Sequence, residues 1–192
     1  IDPDNSEALL VATSNGIYRT VNGGVDWVQE QSGNFYDIEA KSTGSSNTFY
    51  ASSGANVYRS TNNGDTWTSI YTVSNSNRLS IATTAANADY VYVLSSSASS
   101  NGFNGVYRST NSGNSFAQMS NTPNLLGWSS TGSDGGGQGW YDLAFTADPA
   151  NAETIYVGGV NTWKSTNGGT NWSIKSHWAG APGVQTVHAD KH

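Results

Sequence analysis

Apolar and polar residues alternate along this chain in short runs with period two, and no segment shows the apolar 3.6-residue period with capping residues that marks a helix. The pattern predicts strands over residues 8–12, 16–20 and 27–30, then 35–40, 48–52, 56–60 and 66–71. A third set follows over 79–83, 90–94, 105–109 and 115–119, and a fourth over 140–145, 154–158, 161–165 and 171–175. Residues 184–192 read as one more strand. Tyr90-Val-Tyr-Val-Leu94 is apolar on both faces, as a strand enclosed by neighbouring layers should be.

One eight-residue motif punctuates these sets four times, at residues 20–27, 60–67, 109–116 and 165–172. Each copy opens on a hydroxyl residue, has Asn two positions on (Asn22, Asn62, Asn111, Asn167) and Gly two after that (Gly24, Gly64, Gly113, Gly169). Each ends in an aromatic residue: Trp27, Trp67, Phe116 or Trp172. An aromatic and a basic residue precede every copy, namely Tyr18-Arg19, Tyr58-Arg59, Tyr107-Arg108 and Trp163-Lys164. An Asn side chain can accept from backbone amides two residues on, and Gly takes a positive φ without strain, so each octad is expected to fold back as a tight hairpin. The closing ring would start the return strand and pack against the next sheet.

The motif glycines lie 40, 49 and 56 residues apart. Four strands per period of this length is the pattern of propeller blades, since a small sheet cannot bury its faces without neighbours. The expected fold class is therefore all-β: an arc of four-stranded antiparallel propeller blades. The divisions are a partial blade over 1–30, blades over 31–76 and 77–119, a Gly-rich insertion over 120–139, a blade over 140–175, and over 176–192 a loop with the innermost strand of a further blade. Residues 1–5 read as a turn, and the first blade lacks its innermost strand. With one broken blade at each end, the sequence reads as a fragment of a larger propeller. Its start at Ile1, without Met or signal peptide, fits processing or truncation.

Leu, Ile, Val and Phe number only 32 of 192 residues, a share that alone would suggest disorder. Seven Trp, ten Tyr and a net charge of only −6 oppose that, because the rings supply bulky apolar surface. The acidity and the lack of any Lys/Arg cluster exclude a nucleic-acid surface. No apolar run approaches the length of a membrane-spanning helix, so membrane insertion is not expected. The absence of Cys removes disulfides and thiol nucleophiles, and neither a cofactor nor a resident metal is expected.

Candidate chemistry falls on the innermost strands and their entry loops. His188, Asp190 and His192 occupy alternate positions, so on a strand they share one face and could meet a metal, a water or a sugar hydroxyl, or merely pin the strand. Trp140-Tyr141-Asp142 and Phe35-Tyr36-Asp37 open corresponding strands and set rings beside a carboxylate, which suits glycan binding but equally suits a repeated core position. The ligand-binding candidates are thus Trp140, Tyr141, Asp142, His188, Asp190 and His192. Glycosidase chemistry needs two carboxylates about 5 to 10 Å apart, for which Asp37, Asp142 and Asp190 are candidates. The arginines are only Arg19, Arg59, Arg78 and Arg108, and three of them belong to the repeat frame, which speaks against a sialidase. The insertion over 120–139 is either a functional loop or a flexible surface excursion.

The octads resemble the Asp-box, or BNR repeat, of sialidases, family 74 glycoside hydrolases and sortilin-type propellers, with Asn where that repeat usually has Asp. The resemblance implies a structural hairpin at the outer edge of each blade, away from the ligand face. The order of Gly137-Gln-Gly-Trp-Tyr-Asp-Leu-Ala144, Thr154-Ile-Tyr-Val-Gly-Gly-Val160 and Val187-His-Ala-Asp-Lys-His192 is similar to that in large bacterial surface proteins exported by the type nine secretion system. That likeness implies a secreted or cell-surface module for glycan binding, protein binding or adhesion. Its partners would be a glycan, a surface or secretion-machinery protein, and the remaining blades. The alternative is an endo-acting hydrolase resembling family 74.

Overall fold

The computed structural model describes residues 5–42 and 47–191. The turn expected over 1–5 falls almost wholly outside these residues, as does His192. Sixteen strands form four sheets, and no helix occurs among the described residues.

The first sheet has three strands, β1 (Leu9–Thr13), β2 (Gly16–Thr20) and β3 (Val28–Ser32). The second has β4 (Asp37–Ala40), β5 (Phe49–Ser53), β6 (Asn56–Ser60) and β7 (Thr68–Thr72), and the third β8 (Ser76–Thr83), β9 (Val91–Ser97), β10 (Phe103–Ser109) and β11 (Ala117–Ser120). The fourth contains β12 (Ala144–Ala147), β13 (Ile155–Gly158), β14 (Thr162–Ser165) and β15 (Ser173–His177) as an antiparallel meander, plus β16 (Gln185–Thr186). Strand β4 contacts β1 and β8, and β8 contacts β12, so the leading strands of sheets two to four stand side by side.

Three apolar seams hold the sheets face to face. Ile17, Phe35 and Ala51 fill the first, with Leu10 and Trp67 packed against them. Tyr50, Val57, Leu79, Val91 and Val93 fill the second. Tyr92, Leu94, Val106, Ile155, Val157 and Trp163 fill the third. Every core is thus built between neighbouring sheets, which is how a chain poor in aliphatic residues buries its rings.

The octads close each β2–β3-type hairpin through one repeated set of hydrogen bonds. In the second copy, Asn62 Oδ1 accepts from the Thr66 amide at 3.0 Å and from the Ser60 hydroxyl at 2.9 Å, while Ser60 Oγ accepts from the Gly64 amide at 2.9 Å. The Trp67 indole closes the turn by donating to the Gly64 carbonyl at 3.0 Å. The same Asn-to-amide bond recurs at Asn22, Asn111 and Asn167. The amide lies four residues beyond the Asn, not two as an Asx turn would have it. The hydroxyl residue is therefore part of the lock, bridging the Asn and the Gly.

The octads also join the sheets. Gly113, at φ +82°, leaves no room for a side chain against Ile70 and Tyr50 of the preceding sheet. Arg59 reaches across to the Ser112 carbonyl at 2.7 Å and to Asn114 Oδ1 at 2.9 Å. Arg108 pairs with Glu153 at 2.7 Å. Arg59 and Arg108, each just before an octad, thus engage the following sheet.

Two expectations need correction, and of two alternatives one is disfavoured. The strand expected over 184–192 as the start of another blade is absent: Gln185 and Thr186 pair in parallel with Ser176 and His177, extending the fourth sheet. Gly180 and Gly183 at positive φ turn the chain back on β15, and Asp190 at φ +65° interrupts any extended run. The strand expected over 140–145 starts only at Ala144, because the amides of Tyr141 and Asp142 both donate to the Gln138 carbonyl and hold Trp140 and Tyr141 in a turn. The insertion over 120–139 is no idle excursion. Leu125 and Leu126 are buried in the third seam, and Asn124 Nδ2 donates to the carbonyls of Asp134 and Gly136.

Candidate functional site

Antiparallel alternation puts all octads at one end of the sheets. The loops leading into β4, β8 and β12 lie at the other end. Of the strongly exposed aromatic rings among the described residues, Tyr36, Trp128, Trp140, Tyr141 and Trp178 belong to this loop end and only Trp27 to an octad. Five of the six strongly exposed rings among the described residues thus stand at the loop end of the sheets.

Arg78, on β8, gathers three of these rings. Its Nη1 donates to the main-chain carbonyls of Trp140 at 2.8 Å and Tyr141 at 2.9 Å, and its guanidinium lies 5.8 Å from the centre of the Tyr36 ring. The Trp140 and Tyr141 rings lie 5.4 Å apart, tilted by 42°. Because the arginine holds carbonyls, the rings themselves stay open: Trp140 is 61% and Tyr141 46% exposed.

Beside this rim lies a cavity of about 490 Å³ whose walls include Tyr36, Asp37 and Glu39 of the β4 segment, Arg78 and Ser80 of β8, Phe145 of β12, Tyr156 of β13, and Lys191. Asp37 and Glu39 stand two residues apart on β4 and so share a face. Asp37 Oδ2 accepts from the Ile81 amide at 2.7 Å and the Ser80 hydroxyl at 3.0 Å, which ties β4 to β8. Burial raises the Asp37 carboxyl above the usual carboxylate range, although these hydrogen bonds pull it back. Burial, followed by the neighbouring Asp37 charge, pushes Glu39 up to about 7. Lys191 Nζ donates to the carbonyls of Gly159, Val160 and His188, and burial lowers its affinity for a proton.

The expected site residues part company here. Asp37 lines the cavity, whereas Trp140 and Tyr141 do not and are joined to it through Arg78, the wall residue that holds their carbonyls. Asp142 is 1% exposed and does not line it. The ladder shows why the two ring-carboxylate motifs do not superpose. Asp37 pairs with Ser52 and Ala144 with Gly158, and these partners stand equally far from octad-paired Phe49 and Ile155. Ala144 therefore matches Asp37, and Asp142 matches buried Phe35. His188 and Asp190 come within 3.8 Å of each other, with the imidazole 88% exposed, on the turn before Lys191 rather than on a channel strand. Sequence reasoning missed Glu39, whose signal was its position two beyond Asp37 on a strand, and Arg78, the arginine outside the repeat frame.

No protein-family model matches the chain, and no curated protein matches it. Solved structures do. A GH74 enzyme from Niastella koreensis superposes with a TM-score of 0.66 at 22% identity over 91% of this chain. The GH74 xyloglucanase from Xanthomonas campestris gives 0.61 at 14% over 95%, and YCF48 bound to D1 peptide gives 0.55 at 16% over 88%. The fold is a β-propeller arc. The chain spans 28%, 31% and 50% of the lengths of those three proteins, so it corresponds to part of each propeller assembly. In propeller terms β4, β8 and β12 are the inner strands, the octads lie at one end of the blades, and the aromatic rim and cavity lie at the opposite end.

Proposed function

We propose that this chain is a glycan-binding arc of a larger exported cell-surface propeller. The observation that carries the reading is Arg78, which lines a cavity holding carboxylates, lies over the Tyr36 ring and ties the main chain of the exposed rings Trp140 and Tyr141 to the cavity wall. Flat rings offer apolar faces to the C–H faces of sugars, and carboxylates accept their hydroxyl protons. The GH74 likeness supports a glycan as partner, whereas the peptide-bound YCF48 supports the alternative of a protein partner at the same end. Export by the type nine secretion system, as the sequence resemblance implies, fits a surface role, and fractionating the producing cells tests it.

A second reading, an endo-acting glycoside hydrolase, is favoured by the two carboxyl groups Asp37 and Glu39 on one face of β4. Alternate strand positions stand about 6.6 Å apart along the strand, within the range that glycosidase carboxylates span.

Affinity electrophoresis of the chain in gels containing xyloglucan or bacterial polysaccharides, together with a reducing-end assay, tests both readings. Retention without new reducing ends supports binding. Release of reducing ends that Asp37→Asn abolishes supports hydrolysis. Absence of both, with capture of a peptide ligand instead, leaves the protein-binding reading.

A further inference from the structure

Glu39 is a carboxyl of the cavity wall whose hydrogen-bonding capacity the described residues leave unused. Among the described residues its carboxyl makes no hydrogen bond or ion pair, although it stands in a half-buried position on β4. The neighbouring Asp37 carboxylate is committed to the Ile81 amide and the Ser80 hydroxyl. The two cations of the wall are committed as well: Arg78 to the carbonyls of Trp140 and Tyr141, and Lys191 to those of Gly159, Val160 and His188. A carboxyl set in a cavity among committed partners stays neutral more readily than it ionises, because ionisation would place a second negative charge beside Asp37 with no counter-charge free to turn toward it.

We propose that Glu39 is a ligand-contacting residue of this cavity, presenting its carboxyl O–H as a hydrogen-bond donor to a ring or glycosidic oxygen of a bound sugar. The inference rests on the glycan reading of the rim and assigns the hydrogen-bonding direction inside the cavity. Ether-type sugar oxygens only accept, so a carboxylate cannot bond to them, whereas a protonated carboxyl can. Asp37, whose Oδ2 already accepts from the Ile81 amide and the Ser80 hydroxyl, is the acceptor of the pair.

The titratable and charged groups that share the cavity wall with Glu39 are Asp37 on its own strand, whose charge acts on it, Arg78 from β8, Tyr156 from β13, and Lys191, on which buried Asp142 acts in turn. Burial, with Asp37 adding to it, moves the Glu39 carboxyl up to about 7. The donor is present below that pH and disappears as pH rises through it.

Isothermal titration of the chain with xyloglucan oligosaccharides at pH 6 and pH 8 tests the assignment, with melting curves confirming the fold at both. Wild-type affinity should fall by about tenfold between the two, following the protonated fraction of one group that titrates midway. Glu39→Gln keeps a donor at every pH and should bind almost equally at both. Glu39→Ala should bind weakly at both. Wild-type affinity that ignores pH, or a Glu39→Gln variant that keeps the full pH dependence, overturns the assignment and leaves the glycan reading intact. No binding by the wild type at either pH overturns both.

Discussion

Arg78 and Trp140 lie 62 residues apart in the chain, yet the guanidinium of the first donates to the main-chain carbonyl of the second at 2.8 Å. The adjoining bond to the Tyr141 carbonyl, at 2.9 Å, makes the contact two-pronged. Both bonds leave the same nitrogen, Nη1, so removing the guanidinium removes them together. Arg78→Met should therefore loosen the turn over 138–142 and weaken oligosaccharide binding, by up to about 150-fold if each of the two lost charged hydrogen bonds contributes on the order of 1.5 kcal/mol. Amide hydrogen exchange in that segment, set beside a binding titration, checks both effects.

Asn62 holds its octad through one oxygen that accepts twice, from the Thr66 amide and the Ser60 hydroxyl. Asn62→Ala removes both bonds, together with the one that Asn62 Nδ2 donates to Thr66 Oγ1, and should cost about 1–3 kcal/mol in chemical denaturation. Asn62→Asp retains the acceptor and should fall within about 0.5 kcal/mol of wild type. Equal losses in the two variants would mean that the oxygen is not what closes the turn.

Gly113 combines a left-handed backbone, φ +82°, with a close approach to the preceding sheet. An added Cβ would stand 2.8 Å from Ile70 Cδ1 and 3.3 Å from Tyr50 Cε1. Tyr50 is fully buried and has little room to move. Gly113→Ala should destabilise by about 1–3 kcal/mol through backbone strain and overpacking together. Gly54→Ala, at φ +56° with nothing nearby, should show only the strain, and equilibrium unfolding of the pair separates the two contributions.

The octads were legible in the sequence because their locks are local: hydroxyl, Asn, Gly and ring bond one another within eight residues. Their outward contacts were not. Nothing in Tyr58-Arg59 announces that the arginine reaches the Ser112 carbonyl 53 residues on, since that depends on how sheets two and three face each other. The candidate site was legible in part for the same reason. Trp140 and Tyr141 stood out as a polar-flanked aromatic pair, but motif similarity matched Asp142 to Asp37, whereas the strand ladder sets Asp142 two places earlier and buries it. The parallel pairing of β16 follows from the turns at Gly180 and Gly183, which a period-two pattern over 184–192 does not report.

Glu39 also links the cavity to stability. Its folded-state carboxyl titrates near 7, above the ordinary value of 4.5, so the folded chain holds that proton more tightly than the unfolded chain does. The associated stability is fully present below pH 4.5 and is lost as pH rises toward and through 7. Glu39→Gln should match wild type in melting temperature near pH 4.5 and exceed it at pH 8. A difference in melting temperature that does not change between the two pH values would contradict the assignment of that proton.

The most direct test of the account is where a glycan falls on the chain. Hydrogen exchange with and without xyloglucan oligosaccharides should show new protection over residues 36–39, 78–81 and 138–146, with the four octads unchanged. Protection confined to the octads, or none in those three segments while the sugar is demonstrably bound, would contradict it.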